Sequence, residues 1–120
     1  MLYTNADLDW RDKTSRSSVE MSNPDSRPKI ANKLDNMADY DTVLIGFPIW
    51  WYVAPTIIDT FVESYDLSGK TIVPFATSGG SGMGKTVDVL SKLSPNAKWQ
   101  TGKMVNGISE KEIKNWVSNL

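Results

Sequence analysis

Two segments of the chain carry the residues that could take part in chemistry, and each follows an apolar run. An aromatic segment, Pro48 to Tyr52, comes after residues 42–47, and a glycine-rich segment, Thr77 to Gly82, comes after residues 71–76. Apolar runs without alternation are typical of parallel strands buried on both faces. Open α/β sheets bind ligands in the loops at the carboxyl ends of such strands. The two segments therefore predict a site for a flat aromatic cofactor.

The absence of two residue types limits the kinds of catalysis that the side chains can perform. The 120-residue chain has no cysteine and no histidine, which excludes disulfides, thiol chemistry, histidine bases and the usual zinc ligands. The carboxylates of Asp59, Glu63 and Asp66 are interpreted as a solvated helix face rather than as an acid/base pair. We therefore predict no catalytic side chain and no metal site, so that any chemistry depends on a bound cofactor.

The glycine-rich segment allows three interpretations. Gly79, Gly84, Lys85 and Thr86 satisfy the phosphate-loop pattern G-x-x-x-x-G-K-[ST] between a predicted strand and helix. A nucleotide triphosphatase also needs a later apolar strand that ends in a magnesium-ordering Asp, and no such strand follows Thr86. The glycines could instead only allow a tight turn. In the third interpretation, backbone N–H groups of the loop bind the polar edge of a cofactor.

The tandem Trp50 and Trp51 present a similar choice. Tryptophans next to a strand end are most often core or partner-contact residues, because burying the large indole is favourable. Burying both rings in a domain of this size is difficult. At least one of them is therefore expected to line a pocket or an interface.

The pattern of apolar residues predicts the element order βαβαβα from residue 41 onward. Strands are predicted at 42–47 and 71–76 and, less regularly, at 98–105, with helices at 55–65 and 85–94. A capping box at Ser109 and Glu112 starts a last helix. This alternation implies a parallel sheet with right-handed crossovers. Pro74 argues for an edge position or a bulge in the second strand, because proline cannot donate to a ladder.

Residues 1–40 are polar and irregular, with Pro24 and Pro28 interrupting them. The best helical pattern there is residues 29–38, where Ile30, Leu34 and Met37 share one face. Composition, with 40% apolar and 22% charged residues, predicts one domain over residues 1–120. The net charge of −1 argues against nucleic-acid and membrane partners. Without a leader pattern or a long apolar stretch, we expect a cytoplasmic protein.

The two loops resemble those of the flavodoxin family, specifically bacterial flavodoxin-like proteins with Gly-[FY]-Pro-Ile-Trp-Trp and Gly-Gly-Ser-Gly loops. The resemblance extends from Tyr3 to Leu120. It implies an α/β, truncated flavodoxin-like three-layer fold, in which about three parallel strands with flanking helices represent strands 3-4-5 of the family order 2-1-3-4-5. Pro74 then belongs to the family's fourth strand.

The resemblance also implies a cofactor, FMN, and the role of an electron carrier with a redox partner protein. The implied FMN-binding residues are Pro48, Ile49, Trp50, Trp51, Tyr52, Thr77, Ser78, Gly79, Gly80, Ser81 and Gly82. The family's phosphate loop has no counterpart, which implies weakened or dimer-completed FMN binding. The open edge of strand 42–47 predicts a homodimer. The alternatives are a non-catalytic structural or interaction protein of the same fold and, less favoured, a phosphate-loop nucleotide binder.

Overall fold

The structure, a computed structural model that describes residues 3–80 and 82–120, alternates strands and helices after an irregular first third. Its elements, in chain order, are α1 (Arg16–Met21), a short 3-10 helix (Met37–Asp39), β1 (Thr42–Pro48), α2 (Thr56–Ser64), β2 (Thr71–Thr77), α3 (Thr86–Leu93), β3 (Lys98–Trp99), β4 (Lys103–Met104) and α4 (Glu110–Ser118).

The two apolar runs form neighbouring parallel strands, with β1 at one edge of the described sheet and β2 inside it. β1 pairs with β2 in parallel, with Thr42 opposite Thr71 and Pro48 opposite Thr77. β3 and β4 both pair in parallel with the other edge of β2. This order confirms the predicted parallel sheet of about three strand positions.

Pro74 interrupts the sheet on one side of β2. Since β2 has neighbours on both edges, the first of the two predicted alternatives for Pro74, an edge position, is wrong. The carbonyls of Ile72 and Ala76 accept hydrogen bonds from Gln100 and Val105, so even-numbered residues of β2 face β3 and β4. Pro74 has no N–H to offer on that side. The run 98–105 accordingly forms two short strands instead of the single strand expected.

Helices cover both faces of the sheet. Val62 of α2 and Leu90 of α3 pack with Ile45, Ile72 and Ala76 into the main apolar core. On the opposite face, the ring of Trp116 in α4 meets Phe75 edge-on, with 6.2 Å between centroids. α4 buries no residue fully among those described. The arrangement confirms the predicted layers of helices around a sheet.

The helix starts follow the sequence signals. α2 begins directly after Pro55, and the Ser109 hydroxyl accepts a hydrogen bond from the Glu112 N–H at 3.1 Å, which caps α4. The predicted helices 55–65 and 85–94 are each confirmed within two residues of the observed bounds. Within the described ranges, no helix is long and apolar enough to cross a membrane.

The first third of the chain differs from the prediction. Residues 29–36 contain no helix, so the predicted helix 29–38 is wrong, and only a single 3-10 turn forms near its end. Of its apolar face, Met37 is buried while Leu34 stays 53% exposed. A helix there would gain little apolar burial to offset its ordering cost. The segment instead runs beside α2, where the Leu34 N–H donates to the Tyr65 hydroxyl at 2.7 Å.

Candidate functional site

A cleft of about 520 Å³ lies where β1 and β2 end. Both of its central walls are loops that follow carboxyl ends of parallel strands, as expected for a ligand site in an open α/β sheet. Its size falls within the range of about 300–1,000 Å³ that is usual for small-molecule sites. The lining residues are Leu8, Trp10, Ser17, Ile49, Trp50, Trp51, Tyr52, Ser78, Gly79 and Gly80.

The aromatic wall is a tight turn with an unusual backbone. Trp50 and Val53 exchange N–H···O=C bonds of 2.8 and 3.2 Å, which leaves a two-residue turn. Its central residues, Trp51 and Tyr52, have φ of 48° and 71°. Turns of this kind normally use Asn-Gly, because bulky residues in the left-handed region are strained. The turn holds both aromatic side chains at the cleft, where they are 46% and 69% exposed.

The aromatic wall is tied to the glycine-rich wall through backbone contacts. The Lys85 N–H donates to the Tyr52 carbonyl at 3.3 Å. Gly84, with φ of 57°, lies so close to this carbonyl that a Cβ would sit 2.2 Å from the oxygen. Only glycine fits both the φ value and the contact. The last glycine of the loop therefore has a role in fixing the two walls relative to each other.

The glycine-rich wall is also fixed by a residue that the sequence analysis missed. The Ser78 N–H donates to Asn106 Oδ1 at 2.8 Å, and Asn106 Nδ2 donates to the Ser78 carbonyl at 2.6 Å. The Gly80 N–H donates to the Ser78 hydroxyl at 3.2 Å. The dipeptide Asn106-Gly107 was a recognisable turn signal, but nothing in its spacing indicates the contact with residue 78.

A third wall comes from the amino-terminal segment, which sequence reasoning left out of the site. Leu8, Trp10 and Ser17 line the cleft, and the Trp10 side chain is 70% exposed. These residues lie in a polar stretch with no periodic pattern. A third exposed aromatic ring therefore stands beside the Trp51 and Tyr52 turn.

Tyr3 joins this amino-terminal wall to the aromatic turn. Its ring lies edge-on to Trp50, with 5.5 Å between centroids, and the Arg16 guanidinium carbon lies over the Tyr3 ring, 4.1 Å from its centroid. The Tyr3 hydroxyl donates to the Glu20 carboxylate at 2.8 Å. Burial, followed by this hydrogen bond, raises the pKa of Tyr3 above its usual range. Through this hydrogen bond, Tyr3 links the aromatic turn to Glu20 of α1.

The structure brings most of the predicted site residues together. Seven of them line the cleft: Ile49, Trp50, Trp51, Tyr52, Ser78, Gly79 and Gly80. Pro48 and Thr77 are paired at the ends of β1 and β2 and do not line it. Gly82 is exposed and does not line it either. Ser81 lies outside the described residues.

The cleft is uncharged along its described lining. It contains no lysine, arginine, aspartate or glutamate side chain. The aromatic walls and backbone groups fit a flat, neutral, polar-edged ring such as isoalloxazine. They do not supply the positive charge that favours a phosphate dianion. Within the described residues, no group of three or more His, Cys, Asp or Glu side chains could hold a metal ion.

Among its described residues, the phosphate-loop pattern does not form a phosphate cradle. The N–H groups of Lys85 and Thr86 donate to the carbonyls of Tyr52 and Met83. The side chain of Thr86, whose hydroxyl would contact magnesium in such a site, is completely buried. The geometry thus argues against a bound nucleotide triphosphate at this loop.

Comparisons with known proteins agree with the fold. A sequence model of the family described as Flavodoxin matches residues 1–120. A putative flavoprotein from Bacteroides eggerthii is 52% identical with a TM-score of 0.89, and the match covers 99% of this chain and 75% of that one. A putative flavoprotein from Bacteroides uniformis is also 52% identical with a TM-score of 0.89, over 97% of this chain and 74% of that one.

A more distant similarity concerns the fold alone. A flavoprotein from Lactobacillus acidophilus, solved in complex with FMN, is 21% identical with a TM-score of 0.63, over 95% of this chain and 75% of that one. No curated protein is significantly similar to this chain. The match of the family model over the whole chain, with the two 52% identical structures, shows the relationship. The chain therefore belongs to the flavodoxin family.

Proposed function

We propose that the cleft binds FMN by its isoalloxazine ring and that the protein carries electrons on it. The observation that carries the proposal is the pairing of an exposed aromatic turn with a glycine-rich backbone wall at the ends of two adjacent parallel strands. The structural similarity to a flavoprotein in complex with FMN supports the choice of flavin. When bound, FMN supplies reversible electron transfer, while the protein supplies binding, orientation and electrostatics.

Each wall has a separate part in this proposal. Trp51 and Tyr52 contact the flat faces of the ring and keep water from it. The backbone of Gly79 and Gly80 meets its polar edge, since only glycine lets a ligand approach main-chain groups so closely. Asn106 acts as a positioning residue, because its two hydrogen bonds to Ser78 fix where that backbone lies.

The uncharged lining implies modest affinity for FMN. A hydrogen bond to a charged group contributes about 1.5–3 kcal/mol. Each such bond that is missing lowers the affinity roughly tenfold or more. We therefore propose weakened FMN binding, in which the ring rather than the phosphate supplies most of the affinity.

The test is an FMN titration followed by flavin fluorescence, with the bound flavin then reduced and reoxidised. Trp51→Ala should weaken binding about tenfold, because stacking on an aromatic ring contributes about 1–3 kcal/mol, whereas Trp51→Phe should keep most of it. Tyr40→Ala is the matched control, since Tyr40 is a similarly exposed ring, 54% exposed, at the opposite end of β1. Equal affinities for all four proteins would contradict the proposed site. If the parent protein does not bind FMN, the result favours the alternative function, a non-catalytic structural or interaction protein of the same fold.

A further inference from the structure

Asn106 and Gly107 form the only Asn-Gly pair of the sequence, and this pair lies beside the glycine-rich wall of the cleft. Both residues are exposed in the turn between β4 and α4. The Asn106 side chain accepts from the Ser78 N–H at 2.8 Å and donates to the Ser78 carbonyl at 2.6 Å. A chemical change of this amide therefore acts directly on the wall.

An asparagine that precedes glycine is chemically unstable, because the backbone nitrogen of the next residue can attack the side-chain amide. This nitrogen forms a bond to Cγ, and the amide group leaves as ammonia, which gives a cyclic succinimide. Water then opens the ring at either carbonyl and yields aspartate or isoaspartate, in which the main chain passes through the β-carbon. Glycine favours the attack, since it has no Cβ to shield its nitrogen.

The structure leaves the Gly107 nitrogen open to this reaction. Its N–H forms no hydrogen bond within the part of the chain that the structure describes. A Cβ placed on Gly107 would have no heavy atom within 4 Å, so no distant residue crowds it. Gly107 has φ of 65°, in the left-handed region that favours glycine. A bulkier residue, which would slow the attack, is therefore disfavoured in this turn.

We propose that Asn106 is a site of spontaneous deamidation whose conversion to aspartate or isoaspartate releases the glycine-rich wall from its support. The donor Nδ2 is replaced by a carboxylate oxygen, which cannot donate. This oxygen faces the Ser78 carbonyl, 2.6 Å from the Nδ2 position, so one hydrogen bond is lost and two acceptors are left facing each other. Isoaspartate also adds a backbone atom between β4 and α4, which displaces the side chain further.

The hydrogen bonds to Ser78 determine which form of the protein reacts. While they hold, the Asn106 amide is fixed on the wall, so the reaction proceeds from molecules in which this contact has opened. A ligand that binds the closed wall lowers their fraction. This step rests on the proposed function: saturating FMN should slow the conversion of Asn106 and leave that of Asn96, an exposed loop residue, unchanged. FMN that binds without slowing the conversion would contradict this protection.

Incubation of the flavin-free protein in mildly alkaline buffer, followed by peptide mapping with mass spectrometry, measures the conversion. Asn106 should be converted faster than Asn96, which precedes Ala97. Gly107→Ala should slow the conversion, because the added Cβ shields the nitrogen. Gly69→Ala is the matched control for backbone strain, since Gly69 also has positive φ and open surroundings, and it should leave the rate unchanged. Conversion of Asn106 no faster than that of Asn96, or equal rates in the parent and Gly107→Ala, would overturn the proposal.

Asn106→Asp reproduces one product and measures its effect on the wall. FMN and riboflavin should both bind about fivefold more weakly, as the loss of one hydrogen bond predicts, and the backbone N–H groups of residues 78–80 should exchange faster with deuterium. Asn96→Asp makes the same change of charge in an exposed loop and should alter neither. Unchanged binding with unchanged exchange would refute release of the wall. If the parent protein binds no flavin, the proposed function fails, whereas the conversion rates and the deuterium exchange still decide on this site.

Discussion

Trp51 and Tyr52 show how far the site departs from local conformational preference. Both residues occupy the left-handed region, which costs roughly 1–2 kcal/mol for each side chain that is not glycine. Strain of this size persists where surrounding contacts hold the backbone, and it concentrates at binding sites. Here the contact is the Tyr52 carbonyl, which accepts from Lys85 and lies against Gly84.

A comparison with Gly69 separates the backbone contact of Gly84 from the conformational freedom that every glycine has. Gly84→Ala should destabilise the protein more than Gly69→Ala, by at least about 1 kcal/mol, because both positions have positive φ but only Gly84 faces a backbone atom. Urea unfolding measures this difference. Gly84→Ala should also weaken FMN binding, while Gly69→Ala should not. Equal losses of stability with unchanged binding would show that the contact between the two loops does not shape the cleft.

At the scale of elements, α2 carries a buried carboxyl group, so the interpretation of Asp59 as part of a solvated helix face is wrong. Asp59 is 5% exposed, and its nearest cation is the Arg27 guanidinium at 3.7 Å. Burial raises the pKa of Asp59 from 3.8 to about 6, with the Arg27 charge acting in the opposite direction and the Glu63 charge adding to the rise. Arg27 also forms an ion pair with Glu63, so this cluster attaches the amino-terminal segment to α2.

The raised pKa of Asp59 makes the free energy of unfolding depend on pH. Between about pH 4 and pH 6 the folded protein binds a proton at Asp59 that the unfolded chain has lost, so this group lowers the free energy of unfolding as pH rises. Asp59→Asn should therefore stabilise the protein by on the order of 2 kcal/mol at pH 7.5 and by little at pH 3.5. Urea unfolding of the variant and the parent protein at the two pH values measures this difference in the free energy of unfolding.

Asp66 provides the control with the opposite sign. Hydrogen bonds from Ser68 lower the pKa of Asp66, so Asp66→Asn should destabilise the protein at pH 7.5. A gain from Asp59→Asn that is equally large at pH 3.5 would contradict titration of Asp59 as its cause.

Sequence reasoning predicted the elements whose signals are local. β1, β2, α2 and α3 follow from apolar periodicity, and the start of α4 follows from Ser109 and Glu112. It did not predict α1, a helix of only six residues that is held by contacts distant in sequence, such as Tyr3 with Glu20. It also missed the division of the run 98–105, because the division depends on which edge of β2 the missing N–H of Pro74 faces.

At the scale of the whole molecule, the cleft also combines parts with local sequence signals and parts that depend on distant contacts. Its two central walls could be predicted, since loops after parallel strands meet at one edge of a sheet. The contributions of Leu8, Trp10 and Asn106 could not, because they depend on how distant segments pack around those loops. What results is a cleft with aromatic and backbone walls and no charged residue in its described lining.

Parallel titrations with FMN and riboflavin test the central claim most directly, because the two differ only in the phosphate. If the cleft binds the isoalloxazine ring through uncharged walls, both should bind, with dissociation constants within about threefold of each other, less than one charged hydrogen bond would cause. FMN binding roughly tenfold or more tighter than riboflavin would show a phosphate site that these walls do not supply. Binding of neither would contradict the assignment of the cleft to flavin.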